Sequence, residues 1–240
     1  MRIVVTGVDT VVGRGVAGRL LSLGHHVLGV GSRRPESWPG SVDFTASHRF
    51  DAALLAGADA VVHCARDHAP LETITGAGVG RLVVASSILH ADPPPFDGLH
   101  IRSGIVLGRN ADESTLGIFA APVALDVAGS GDQQLHVVHP HDLERVLVRA
   151  VLDDELRGTV DVAADGHTSV RAVANALGRP VLRVPTILRR FAPSSPLTRE
   201  LPPLDPTRLR DEWGLVPAYD AAQCVEDFAL AGRGRIAIGA

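Results

Sequence analysis

Residues Met1–Val30 read MRIVVTGVDTVVGRGVAGRLLSLGHHVLGV, and their reading decides the fold. Arg2 to Thr6 is a β-branched run of the kind that fills a buried strand. Gly7 turns the chain, and Gly13 follows six residues later. Val16, Leu20 and Leu21 then have helical spacing until Gly24 ends the run. His26 to Val30 is a second apolar run. Strand, glycine-bearing turn, helix and strand within about thirty residues form a βαβ unit, whose turn presents backbone N–H groups to a pyrophosphate at a helix N-terminus.

Working outward, this unit belongs to a Rossmann-type α/β chain. The turn Thr6-Gly7-Val8-Asp9-Thr10-Val11-Val12-Gly13 resembles the TGxxGxxG turn of the extended and atypical short-chain dehydrogenase/reductases, the NAD-dependent epimerase/dehydratase group. The resemblance implies a doubly wound parallel sheet of six or seven strands and an NAD(P) cofactor. Its cofactor-binding residues would be Gly7, Asp9, Thr10, Val11, Val12 and Gly13 in the turn. Thr10 stands where the family has its middle glycine, and a β-branched side chain there is expected to fill space that phosphate would occupy.

After the second strand come Gly31-Ser32-Arg33-Arg34. An acid here would hold ribose hydroxyls, whereas arginine suits a 2′-phosphate, so Ser32, Arg33 and Arg34 point to NADP ahead of NAD. A solvated basic turn is the plainer reading of the same residues. Val42 to Ala46 reads as a third strand, and the family alignment puts His48 and Arg49 beside the adenine. Phe50 to Leu55 suits a short helix. Ala60 to Ala65 resembles the family's fourth strand, which sets Cys64 and Ala65 against the cofactor. His63 within that strand reads as a satisfied core residue.

Only about fifteen residues separate Ala65 from the fifth strand, Arg81 to Ser86, and a full crossover helix scarcely fits there. Ser86 and Ser87 match the family's catalytic serine position. The helix that should follow with YxxxK is replaced by Pro93-Pro94-Pro95, and the sixth strand, His100 to Gly104, begins at once. Tyr219 is the only tyrosine, and all 23 basic residues are arginine. With no lysine, a tyrosine cannot gain the lysine-assisted fall in pKa that the family's chemistry needs. A Schiff base and a P-loop lysine are excluded too. The remaining candidate catalytic cluster is Ser86, Ser87, His90 and Arg102, with Asp67, His68 and Ser103 near it, able to hold a small carbonyl or carboxylate compound. An inherited cleft that only binds fits these residues as well.

Downstream, IVLGR (Ile105–Arg109), HVVHPHDL (His136–Leu143) and LDPTRLRDEWG (Leu204–Gly214) also match family segments. The expected organisation is a core over 1–157, of which 119–132 contributes to the lobe, and a small C-terminal lobe with closing helices over 158–240. Asp142 is expected to help cap the helix that runs to Leu152. RRPESWPGSVDF, IVLGRN and CVEDFALAGRGRI are similar to the N-terminal module of long actinobacterial proteins that carry a phosphoenolpyruvate-synthase-like second part. His136, His139 and His141 lie close together, but Pro140 interrupts them and no fourth ligand follows, so no metal is expected.

A net charge of −4 argues against a nucleic-acid partner, and no apolar run reaches the roughly 18 residues of a membrane span. A cytoplasmic protein is the resulting expectation. Cys64 and Cys224 make no disulfide framework. Three functions stay open: a divergent NAD(P)-binding enzyme acting on a small molecule, a cofactor-independent isomerase, lyase or cyclase, and a non-catalytic binding or assembly module. Short crossovers should also leave Val61, Leu82, Val84 and Ile101 partly uncovered, unless the prolines at 93–95 and the segment Thr186–Leu204 cover them. A second copy or a neighbouring domain is the expected cover.

Overall fold

The computed structural model describes residues 1–38, 40–68, 70–90, 92–111, 115, 119, 124–127, 132–184 and 201–238. Its main sheet holds β1 (Arg2–Thr6), β2 (His26–Gly31), β3 (Asp43–Ala46), β4 (Ala60–His63), β5 (Arg81–Ser87), β6 (Leu99–Ser103) and β10 (Gly158–Val162). The order across the seven strands is β10-β6-β5-β4-β1-β2-β3, with every pairing parallel. The order reverses direction at β1, between β2 and β4, so the crevice at the carboxyl ends of β1 and β4 is where such a sheet binds ligands. Two short pairs lie outside it: β7 (Ile105–Val106) with β9 (Val137–Val138), and β8 (Ala124–Val127) with β11 (Val181–Val184). Gly158–Val162 is expected in the lobe. It is instead the edge strand of the main sheet, because its register against β6 places Asp161 beside Arg102.

One face of the sheet is covered by α1 (Val11–Ser22) and α3 (Pro140–Leu152). Val12, Val16 and Leu20 of α1 and Leu143, Leu147 and Ala150 of α3 share one core with Ile3, Val5, Val62, Val83 and Ile101. The opposite face is covered by the seven-residue α2 (Pro70–Gly76) and the 3-10 turn Ala52–Leu55, which Asp51 caps through the N–H groups of Ala53 and Leu54. Leu71, Ile74 and Leu55 there close over Val4, Leu28, Val61, Leu82 and Val84, and Phe96, just past the prolines, packs on the same cluster.

This corrects the expectation of an uncovered apolar face. Val61, Leu82 and Val84 are buried within one chain, and Ile101 belongs to the other face. Beyond α2 the sheet carries His100, Arg102 and Asp161 instead of apolar side chains, so a shortened crossover leaves a polar lane. The premise for a covering partner therefore disappears. Residues 185–200, most of the segment expected as internal cover, lie outside the described residues.

A second core forms the lobe. Ile105, Leu107 and Val137 pack there with Val170 and Val173 of α4 (Val170–Ala176), and with Cys224, Val225 and Phe228 of α6 (Ala221–Ile238). Between them, α5 (Thr207–Asp211) seats Leu209 and the nearby Trp213 on the main core. Asp142 does not cap α3. The His139 ring accepts from the His141 N–H at 3.3 Å as the cap, while buried Asp142 accepts from Ala218 and Tyr219 N–H at 3.0 and 3.1 Å. Asp142 thus ties the C-terminal segment to the main domain.

Candidate nucleotide-binding site

The glycine turn is shaped by contact. Gly7 has φ +73°, and a Cβ there would stand 2.6 Å from the Ala65 nitrogen at the end of β4. A Cβ on Gly13 would stand 2.2 Å from the Gly7 carbonyl oxygen. Both positions need glycine because backbone meets backbone. Position 10 does not: Thr10 is extended, with φ −81° and ψ 158°, and is the N-cap of α1. Its hydroxyl donates to the Gly7 carbonyl at 2.7 Å and accepts from the Gly13 N–H at 3.0 Å. Its hydroxyl branch is therefore turned into the loop and pins it, while the residue also lines the cleft beside the turn.

A cleft of about 1080 Å³ runs from this turn along the ends of β2 and β4. Gly7, Asp9, Thr10, Val11, Ser32, Arg33 and Ala65 of the expected set line it. Arg34 does not, and neither do His48 and Arg49, which sit exposed on the 3-10 turn Ser47–Arg49. Their neighbours Ser47 and Phe50 take the wall instead. Arg14, Arg66 and Asn110 also line the cleft and were not anticipated. Arg14 lies one turn into α1, a position that helical spacing from Thr10 would have flagged. Asp9 reaches across to the end of β2, where its carboxylate accepts the Ser32 N–H at 3.0 Å and the Ser32 hydroxyl.

Past Thr10, Ala65 and Arg66 the trough continues into a cavity of only about 100 Å³. Ser86, Ser87, His90, His68 and Ser103 meet there, with Val12, Cys64, Leu89 and Leu143 closing its sides. Three of the four expected catalytic residues are thus brought together. Arg102 is not among them. Its guanidinium makes a two-pronged pair with the Asp161 carboxylate, at 2.8 and 2.7 Å, and Asp161 is buried and also accepts the Asp205 N–H at 2.9 Å. The hydrogen bond to Asp161 raises the Arg102 pKa further. An arginine held this way is a structural clamp on the edge strand rather than an anion holder.

Two hydrogen-bonded histidines were not read from the sequence as parts of the site. Ser86 Oγ lies 2.7 Å from His100 Nε2, and burial lowers the His100 pKa against the opposing pull of the nearby Asp92 charge. The signal was the alternation His100-Ile101-Arg102, which puts two polar side chains on one face of a strand. His63 is fully buried: its Nδ1 lies 2.8 Å from Thr6 Oγ1, and its Nε2 lies 3.3 Å from His68 Nδ1. Burial, with His68 adding to it, pushes His63 down to about 4. Burial also pushes the Cys64 thiol up to about 12, so it is no nucleophile.

Tyr219 lies in the lobe, stacked on His139 with ring centroids 3.7 Å apart, and His139 and Arg109 both bind Asp227. His136 packs on His167 rather than on a metal set. Among the described residues, no three His, Cys, Asp or Glu side chains come together as ligands.

Residues 3–90 match the model of the NAD dependent epimerase/dehydratase family. The fold agrees over nearly the whole chain. The NAD complex of Thermus thermophilus UDP-glucose 4-epimerase superposes with a TM-score of 0.73 at 20% identity, covering 98% of this chain and 99% of that one. The Bordetella bronchiseptica enzyme WbmG, solved with NAD and UDP, gives 0.70 at 16% identity, covering 99% and 96%. A short-chain dehydrogenase/reductase superfamily protein of Agrobacterium tumefaciens with bound NAD gives 0.69 at 16%, covering 100% and 99%. At the sequence level, uncharacterized proteins of Mycobacterium tuberculosis and Mycobacterium bovis are 41% identical over 266 aligned residues. That alignment takes in all of this chain but 31% of each relative, so the chain spans about a third of their length. Among the described residues no helix is long and apolar enough to cross a membrane.

Proposed function

We propose that this chain is an epimerase/dehydratase-type Rossmann module that binds NAD through its adenosine diphosphate half and does not carry out tyrosine-dependent hydride transfer. The observation that carries this reading is the uneven division of the trough. Ligand sites usually enclose ~300–1000 Å³. The nucleotide end has about 1080 Å³, whereas the end that meets Ser86, Ser87 and His90 has about 100 Å³. The close-packed Gly7 and Gly13 fit the turn to a pyrophosphate, which the first turn of α1 would hold with Arg14 and Arg66 near it. When bound, NAD supplies a ring able to take or give a hydride. Against that ring this chain offers no tyrosine and no lysine, and two of its histidines of lowered pKa, His63 and His100, are held by Thr6 and Ser86.

On sequence, Ser32, Arg33 and Arg34 favour NADP, and the first two line the cleft. The named structural neighbours carry NAD, and Arg34 does not line the cleft, so NAD is the cofactor we propose. In the mycobacterial relatives the matched region makes up 31% of the length. There this module would supply nucleotide binding, and the phosphoenolpyruvate-synthase-like part expected from sequence would supply chemistry on a small molecule.

Calorimetric titration with NAD tests the reading, together with an assay for NAD-dependent interconversion of UDP-sugars. Saturable binding without turnover is the expected pair of results. Failure to saturate by about 1 mM, weaker than about −4 kcal/mol, would overturn the binding claim. Turnover would overturn the other.

A further inference from the structure

The end of β2 has no acidic residue of its own, yet a carboxylate stands there. It comes from the glycine turn: Asp9 Oδ2 accepts both the N–H and the hydroxyl of Ser32, which fixes the side chain across the cleft wall. Asp9 Oδ1 stands 2.9 Å from where a Cβ on Gly31 would be, so the last residue of β2 has to be glycine to admit it. Oδ1 has no hydrogen-bond partner among the described residues, and Asp9 is exposed on the wall it shares with Ser32 and Arg33. An acceptor-only group held in this way suits a vicinal diol, which brings two donors. It opposes a phosphate, whose charge of about −2 would be set against it.

Arg33 lies on the same wall and offers the contrary preference. Its long exposed side chain must lose rotamer freedom to reach a ligand, whereas the Asp9 carboxylate is already fixed by Ser32. The fixed charge therefore decides.

We infer that Asp9 is the specificity-determining residue of the cleft, selecting adenosine diphosphates with a free ribose 2′-hydroxyl and excluding those phosphorylated there. The inference rests on the nucleotide-binding reading above. It also names a selector that sequence comparison at the end of β2 would miss, because the acid has moved from the strand to the turn.

The test is calorimetric titration of the wild-type chain and Asp9→Asn with NAD and with NADP. Hydrogen bonds to a charged group are worth enough to give a preference of about tenfold or more, so wild type should favour NAD by at least that factor. Asp9→Asn keeps an acceptor for Ser32 but removes the charge, and should bring the two ligands within about threefold of each other. Each ratio is measured on one protein, so a loss of folded material in the variant cancels. Equal binding of NAD and NADP by wild type, or an unchanged ratio in Asp9→Asn, would overturn the selection while leaving the cleft reading intact. Binding of neither ligand would remove the cleft reading and the selection with it.

Discussion

Acidification should destabilise this protein through one buried side chain. His63 sits on β4 between Thr6 and His68, fully buried, and its pKa is held at about 4 against an ordinary 6.5. Burial is the main cause, with the His68 charge adding to it. Between those two values the unfolded chain takes up a proton that the folded chain refuses. Stability must therefore fall with pH in that window: nothing is lost above about 6.5, and the loss is complete near 4. At 1.36 kcal/mol per pH unit the full effect is about 3 kcal/mol, a large share of the ~5–15 kcal/mol of a typical domain. Urea unfolding of wild type and His63→Asn at pH 7, 6, 5 and 4.5 reads it out. Asparagine can still meet the Thr6 hydroxyl but does not titrate. The variant is expected to start less stable at pH 7 and to lose less on acidification, so the two curves converge. His100 and His136 also have lowered values and steepen both curves alike, whereas His68 is hydrogen-bonded to His63 and coupled to it, so the difference belongs to the His63–His68 pair. Parallel curves, differing by a constant offset down to pH 4.5, would refute the reasoning.

Asp161→Ala should cost about 3 kcal/mol by urea unfolding, because it strands the partly buried Arg102 guanidinium and the Asp205 N–H; a cost under about 1 kcal/mol would mean that water replaces the pair. Thr10→Ala should lower stability by about 1 kcal/mol through loss of the α1 cap, seen as a fall of about 2–4 °C in Tm by calorimetry. Thr10→Gly should leave NAD affinity within about threefold of wild type, and a gain of about tenfold or more would show threonine to obstruct the phosphate.

The βαβ core was legible because its signals are local. Arg2–Thr6, the Gly7 turn and the α1 stripe each obey a periodicity or a backbone constraint that does not depend on distant residues. Gly7 and Gly13 could be recognised as contact glycines, although the partner of Gly7, Ala65, is far along the chain. What escaped reading was long-range. Gly158–Val162 looks like any short strand until β6 is present to pair with it. Arg102 reads as an anion holder until the same register sets Asp161 beside it. Asp9 reads as one member of the cofactor turn, and its hold on Ser32, 23 residues away, shows only once β2 lies beside the turn. The apolar face was misjudged for a related reason: spacing showed that the long helices were missing, but not that Leu71, Ile74 and Phe96 would suffice to cover what remained.

The account stands on a nucleotide end that is large and a catalytic end that is small, and the direct comparison is of NAD with ADP-ribose, which lacks the nicotinamide ring. Calorimetric titration of each into the same preparation should give dissociation constants within about threefold of one another, because a cavity of about 100 Å³ leaves the ring outside the site. NAD binding tighter than ADP-ribose by about tenfold or more would show the ring seated against Ser87 and His90, and would contradict the account.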